Sequence, residues 1–220
     1  MTPSNHPVHF RVEMPSQPRN RLTAFFRPIL AVPHLLLVGG PALGVLGGGY
    51  RTGALGALAI LIALLDWFAI LFTGAPIRSL EPLKRLYLVW RAHVLAYASF
   101  LRDEYPPFGD GPYPATLELP ETPPTRDRAD ILLRPIMLIP HFLVLAVLIL
   151  LWIVFAVISW LWLSIAAELP PSLWRFNRDV IAYSLRVESY ALLIHDVFPP
   201  FALTDEPVAP PAGESASAPV

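Results

Sequence analysis

The chain contains no cysteine. Disulfides, thiolate zinc sites, iron–sulfur clusters and thiol catalysis are therefore excluded, whatever the redox state of its surroundings. Charge is also scarce: Asp, Glu, Lys and Arg make up 15% of the 220 residues, against roughly 25% in an ordinary soluble domain. A net charge of −1 supplies no basic field for nucleic acid. There is no Gly-x-Ser-x-Gly elbow, no phosphate loop and no dinucleotide fingerprint. The six histidines form neither an i, i+4 pair nor a His-Glu-x-x-His motif, so spacing points to no metal centre and no catalytic residue. The N-terminal "MTPSNHPVHFRVEMPSQPRNR" lacks an apolar core after a basic start, and the expectation is that it is not a signal peptide.

What the chain has in abundance is apolar sequence, at 55% of residues. "ALGALAILIALLDWFAILF" (54–72) carries one charge, Asp66, and "FLVLAVLILLWIVFAVISWLWLSIAA" (142–167) carries no charge, no glycine and no proline. About 20 such residues cross a hydrocarbon core as a helix, whereas a soluble helix keeps one polar face. Membrane insertion follows, with Trp152, Trp160 and Trp162 placed near interfaces.

The sequence is also written twice. "RPILAVPHLLL" (27–37) returns as "RPIMLIPHFLV" (134–144), and "VHFRVEMP" (8–15) aligns with "YPATLELP" (113–120). Trp67 matches Trp160, Arg85 matches Arg178, Tyr97 matches Tyr190, Asp103 matches Asp196, and "YPPF" (105–108) matches "FPPF" (198–201), all in one order. The offset falls from 107 to 93 after the Pro-His pair, which gives the first copy a 14-residue insertion in the Gly-rich stretch 39–53. The domain reading is an N-terminal tail (1–7), repeat one (8–108), repeat two (113–201) and a disordered Pro/Ala/Ser-rich tail (202–220). Each repeat reads as a short strand (Val8–Met14 or Tyr113–Leu119), an Arg-bearing lead-in, the apolar run, and a mixed helix (Leu80–Leu101 or Leu173–His195) stopped by Pro-Pro.

If each repeat dips into the bilayer and returns, all but one of the 16 basic residues share one aqueous face, which the positive-inside rule assigns to the cytoplasm. Two geometries achieve this. The mixed helix is the return leg, or the lead-in and apolar run form a hairpin bent at the prolines. The mixed helices would otherwise lie in the interface with their arginines snorkelling.

The matched cations Arg27, Arg134, Arg85 and Arg178 suit phosphate headgroups or structural ion pairs, with Asp103 and Asp196 as candidate partners. Trp67 and Trp160 suit interfacial anchoring. Asp66 is an intramembrane carboxylate whose counterpart is Ser159, so any ion or proton path through it belongs to one repeat. His34 and His141 sit at matched positions after proline. They could line a polar path or meet at a haem or metal, though a bond to a backbone carbonyl freed by the proline is the simpler reading.

"FRVEMP", "FFRPILAVPHLLL", "DWFAILFTGAP" and "DEYPPF" together resemble the bacterial membrane family called domain of unknown function 4389, over nearly all of 8–201 and in two copies. Repeat two departs from the pattern, with "SWLWLSIAAELP" in place of the Phe-Thr-Gly ending and Phe198 in place of tyrosine. The resemblance implies an integral membrane protein of the bacterial inner membrane. Some members resemble accessory factors in mycobacterial envelope lipid trafficking and polar growth. The expected fold is mainly α-helical: two tandem repeats, each a strand, membrane-inserted helices and an interfacial amphipathic helix, with the strands pairing outside the membrane. The leading functional expectation is a non-catalytic accessory or scaffold subunit that contacts membrane lipids and a larger complex. It needs no cofactor, metal or nucleic acid. A small ion-coupled transporter and a lipid-modifying enzyme are the alternatives.

Overall fold

The computed structural model describes residues 6–15, 19–40 and 48–203. The element order is β1 (His9–Val12), α1 (Arg21–Leu30), α2 (Val32–Val38), α3 (Gly48–Thr73), α4 (Glu81–Ala98), β2 (Ala115–Glu118), α5 (Arg128–Ala166) and α6 (Pro171–Ala191). The expected C-terminal tail beyond residue 203 and most of the N-terminal tail lie outside the described residues.

The two strands pair with each other, antiparallel, in the register His9↔Glu118 to Val12↔Ala115. Each is shorter than its sequence pattern suggests. Alternation puts Phe10, Ala115 and Leu117 into the core, while Arg11 and Glu118 form an exposed ion pair at 3.2 Å. The sheet therefore joins the repeats by backbone bonds and an apolar inner face.

Three segments are long and apolar enough to cross a membrane: Arg21–Val38, Thr52–Thr73 and Arg128–Ala166. The repeats differ in how these are built. In repeat one α2 stops at Gly39 (φ 77°), and α3 is kinked at Gly53 (φ 69°) before it runs on to Thr73. A Cβ on Gly53 would lie 2.4 Å from Gly39 N and from Leu37 O, so only glycine permits this approach. The inserted segment thus leaves and rejoins the helical path at nearly one point. In repeat two, α5 runs unbroken for 39 residues through Pro135 and Pro140, which rules out a hairpin bent at those prolines. Pro135 removes the N–H that would have bonded the Ile131 carbonyl, and the Trp67 indole supplies a replacement donor at 2.8 Å.

The mixed helices α4 and α6, which the sequence suggested at an interface with snorkelling arginines, are the centre of the structure. Trp90–Tyr97 of α4 are all buried, as is 180–190 of α6 except half-buried Ser184. Around them lie the strands and the apolar helices, in a core that includes Phe10, Leu88, Val94, Leu117, Ile181 and Leu185.

Candidate functional site

The polar groups of this core fall into matched sets, one per repeat. Each set begins at the C-terminal end of the central helix. There Phe100 (φ 62°) and Leu193 (φ 59°) adopt the left-handed conformation without being glycine. Their side chains are buried, which glycine could not provide. The turns close with Leu101 N–H donating to Ala96 O and Ile194 N–H to Ser189 O, both at the spacing of a Schellman cap.

Arginines from the lead-in hold these turns. Arg19 donates to Phe100 O and Arg126 to Leu193 O. Arg27 donates to Arg102 O at 2.9 Å, and Arg134 to His195 O at 2.9 Å. Each pair of guanidiniums then converges on one carboxylate. Arg19 and Arg27 hold Asp103; Arg126 and Arg134 hold Asp196. Arg27 also lies 4.8 Å from the Tyr97 ring centroid, and Arg134 lies 4.2 Å from that of Tyr190. Arg27 and Arg134, read as headgroup or structural cations, are only 1% and 2% exposed. A guanidinium presents several donors in a planar fork, which allows one side chain to hold a carboxylate and carbonyls together. Arg85 and Arg178 are more peripheral. Arg85 binds Glu81 at 2.7 Å and the Pro120 carbonyl, and Arg178 binds Asp179 and lies over Trp174.

The matched histidines are enclosed by their own repeat. Trp90 donates to His34 Nδ1 at 3.1 Å, which fixes the His34 proton on Nε2. His141 Nδ1 and the Tyr183 hydroxyl are 2.8 Å apart. Phe108 and Phe201, the last residues of the Pro-Pro loops, stack on the two imidazoles with centroids at 4.2 Å. Among the described residues no group of three His, Cys, Asp or Glu side chains is placed to hold a metal ion.

The tryptophans are exchanged between repeats. Trp67 of repeat one donates to Ile131 O in repeat two, and Trp160 of repeat two donates to Phe25 O in repeat one at 3.1 Å. A second reciprocal pair uses backbone alone: Arg19 N–H to Ala167 O at 2.8 Å and Arg126 N–H to Gly74 O at 2.9 Å.

The sets differ at one rung. In repeat one Asp66 is buried and accepts from Lys84 Nζ at 2.5 Å and from Ile77 N–H at 2.7 Å, while Lys84 also donates to Leu192 O at 3.0 Å. Burial pulls Lys84 below the ordinary lysine range, opposed by the bond and the charge of Asp66. In repeat two the same positions hold Ser159, Asn177 and Pro170. Asn177 donates to Ser159 Oγ at 3.2 Å and to Ser99 O at 3.3 Å. Pro170 has no N–H to satisfy. An ionic rung in one repeat is thus a neutral rung in the other.

Beyond the matched sets, Glu188 bridges the two central helices. It accepts from Arg91 Nε at 2.7 Å and from the Tyr87 hydroxyl at 2.7 Å, and Arg91 continues to Val38 O. Lys84 and Tyr87 were not singled out from sequence, and Glu188 stood out only as a charge on the second mixed helix, beside Arg186. Their counterparts are Asn177, Val180 and Leu95, so the repeat pattern gave no signal for them. Chemically these arrangements clamp and cap: each buried cation described here is bound to carboxylates or carbonyls of the same chain.

The family model described as Domain of unknown function (DUF4389) matches residues 51–109 and 128–202. The matched segments take in most of α3 with α4, and α5 with α6. No curated protein and no solved structure matches the chain.

Proposed function

The chain belongs to the DUF4389 family, matched in two tandem segments, and from that premise we propose that it is a non-catalytic integral membrane subunit that packs against a larger membrane complex. The observation that carries this reading is the bare flank of α5. The apolar window of this helix is only 17% buried within the protein, and Ile136, Leu143, Val147, Leu150, Val154 and Ile165 are each more than half exposed. An apolar surface of this extent is unfavourable in water at roughly 25 cal/mol per Å²; a bilayer and a partner helix are the environments that cover it.

The polar interior supports a structural role. The arginine clamps and the Asp66–Lys84 rung close on carboxylates and carbonyls of the same chain. An ion-coupled path through Asp66 would have to break bonds at both carboxylate oxygens. In the proposed orientation the strand pair and both termini lie on the cytoplasmic side of a bacterial inner membrane, where the basic residues concentrate.

The test is crosslinking-assisted pulldown from native membranes in mild detergent. A stoichiometric membrane partner is expected, with contacts mapping to the exposed flank of α5. Recovery of a stable, monodisperse chain with no partner would refute the proposal. A change in ion-coupled liposome flux on Asp66→Asn would favour transport instead.

A further inference from the structure

The strand register locates the pseudo-two-fold axis that relates the repeats. Arg11 and Thr116 occupy equivalent positions in "VHFRVEMP" and "YPATLELP", and they pair with each other in the sheet. A residue faces its own counterpart only on the axis, so the axis passes through the strand pair. Arg11 and Thr116 are exposed there, while Phe10 and Leu117 turn inward. β2 packs on α4 and β1 on α6; α4 packs on α2 and α3, and α6 on α5. Along the axis the layers are therefore the sheet, the central helices and the long apolar helices.

The last layer presents one apolar face from both repeats. Ile29 and Ile136, Leu36 and Leu143, and Phe72 and Ile165 are equivalent pairs, and all six residues are between 63% and 78% exposed. The stripe of α5 that turns inward runs from Ile131 to Leu163, so the bare face beside it is as long. From Leu132 to Ile165 that face covers about 50 Å, at about 1.5 Å per residue. The hydrocarbon core is about 30 Å thick. Containing the face by crossing would tilt α5 by more than about 50° from the normal, beyond the roughly 40° that transmembrane helices reach.

A crossing also conflicts with the charges. The axis lies midway between two equivalent ends. At one, Arg19 N–H meets Ala167 O; at the other, Arg126 N–H meets Gly74 O. If the long helices joined opposite sides of a bilayer, the sheet would sit at mid-depth, with the exposed Arg11–Glu118 pair in hydrocarbon. Exposed Arg21 and Arg175 at one end and exposed Arg128 and Arg78 at the other would lie in opposite compartments, against the positive-inside rule.

We propose that the chain is monotopic and docks in a single phospholipid leaflet, with the two-fold axis along the membrane normal. The apolar faces of α5 and of α1, α2 and α3 lie in the outer acyl layer. The sheet stands in water. The arginines at both ends meet headgroup phosphates of the same leaflet, so the basic ends share one aqueous side without a return leg. The inference rests on the bilayer placement proposed above and fixes its depth and direction.

The chain has no cysteine, so single cysteines report position. Arg21→Cys, Arg128→Cys and Thr116→Cys sample the two ends and the sheet at exposed sites. Intact spheroplasts and inverted vesicles of an expressing bacterium are treated with a membrane-impermeant maleimide. All three sites should react on one and the same side. Reaction of Arg21→Cys and Arg128→Cys on opposite sides would overturn the proposal. Nitroxides placed through cysteine at Ile136, Leu150 and Ile165, in full chains reconstituted in phosphatidylglycerol–phosphatidylcholine vesicles, should show one ratio of oxygen to nickel accessibility. A ratio several-fold higher at Leu150 than at the other two is the profile of a crossing helix and would overturn it as well. A chain that alkaline carbonate releases from membranes fails the bilayer placement itself. One that resists carbonate and crosses fails this inference alone, and one that labels from one side but yields no partner on pulldown fails the scaffold reading alone.

Discussion

The rung that differs between the repeats gives the sharpest test of how the core is assembled. Lys84→Asn alone leaves the Asp66 carboxylate, itself 0% exposed, without its cation. Breaking a buried pair from one side costs about 3–5 kcal/mol. Adding Asp66→Ser converts the site to the Ser159–Asn177 arrangement, and the new asparagine can reach Leu192 O as Asn177 reaches Ser99 O. The double variant should recover most of the loss. What remains is the Ile77 N–H, which now bonds Asp66 at 2.7 Å and would be orphaned, at about 1–3 kcal/mol. Ile77→Pro removes that donor, as Pro170 does in repeat two, and the backbone there has φ −80°, within the range proline adopts. The triple variant should therefore exceed the double. Unfolding in detergent micelles, followed by tryptophan fluorescence, ranks the four proteins. The reasoning is refuted if the double variant is no more stable than Lys84→Asn, or if proline at position 77 lowers stability further.

Other perturbations probe the matched sets. Asp103→Asn and Asp196→Asn each leave two buried guanidiniums without a counter-charge; each should cost about 2–4 kcal/mol, allowing for the partial exposure of the carboxylates, and equal losses by denaturant titration would show that the clamps are equivalent. Burial, aided by Arg186, lowers His6 to about 4, and burial, aided by His6 and nearby arginines, lowers His195 to about 3. The unfolded chain binds these protons near pH 6.5 and the fold refuses them, so stability is complete above that pH and erodes as pH falls toward 4 and then 3, by up to tenfold in the folding equilibrium per unit and histidine. His195→Gln should flatten that slope in pH-dependent melting curves. Trp67→Phe should expose the Ile131 carbonyl that Pro135 leaves without its helical partner; a loss of about 1–2 kcal/mol is expected by thermal melting, and no loss would show that water replaces the indole.

The repeat, the strand pairing, the apolar helices and the Arg–Asp partnership were all legible in the sequence because each is carried by residues present in both copies. Matching Arg27 and Arg134 against Asp103 and Asp196 was enough to suggest the ion pairs. The exchanged contacts were not legible. Trp67 looks like an interfacial anchor until its N–H is seen on a carbonyl 64 residues away, and periodicity carries no information about which repeat a side chain reaches. The placement of α4 and α6 was hidden for a related reason. Arg91, Arg186 and Glu188 signal a wet surface only while their partners are unknown; once Glu188 joins Arg91 and Tyr87, burial follows. The Ser159–Asn177 rung was invisible because neither residue stands out without the ionic version beside it. The family resemblance is borne out over residues 51–109 and 128–202, which hold "DWFAILFTGAP" and "DEYPPF", while "FRVEMP" and "FFRPILAVPHLLL" lie outside the matched segments.

The bonds traded between Trp67 and Ile131, Trp160 and Phe25, Arg19 and Ala167, and Arg126 and Gly74 have the form of a handshake. Half of the molecule, severed from the other, would keep its own arginine clamp and lose every one of these grips. A gene encoding a solitary module could make them only by joining two identical chains, and tethering the pair in one polypeptide frees each arm to change alone. The charged rung on one side and the neutral one on the other are what such freedom permits.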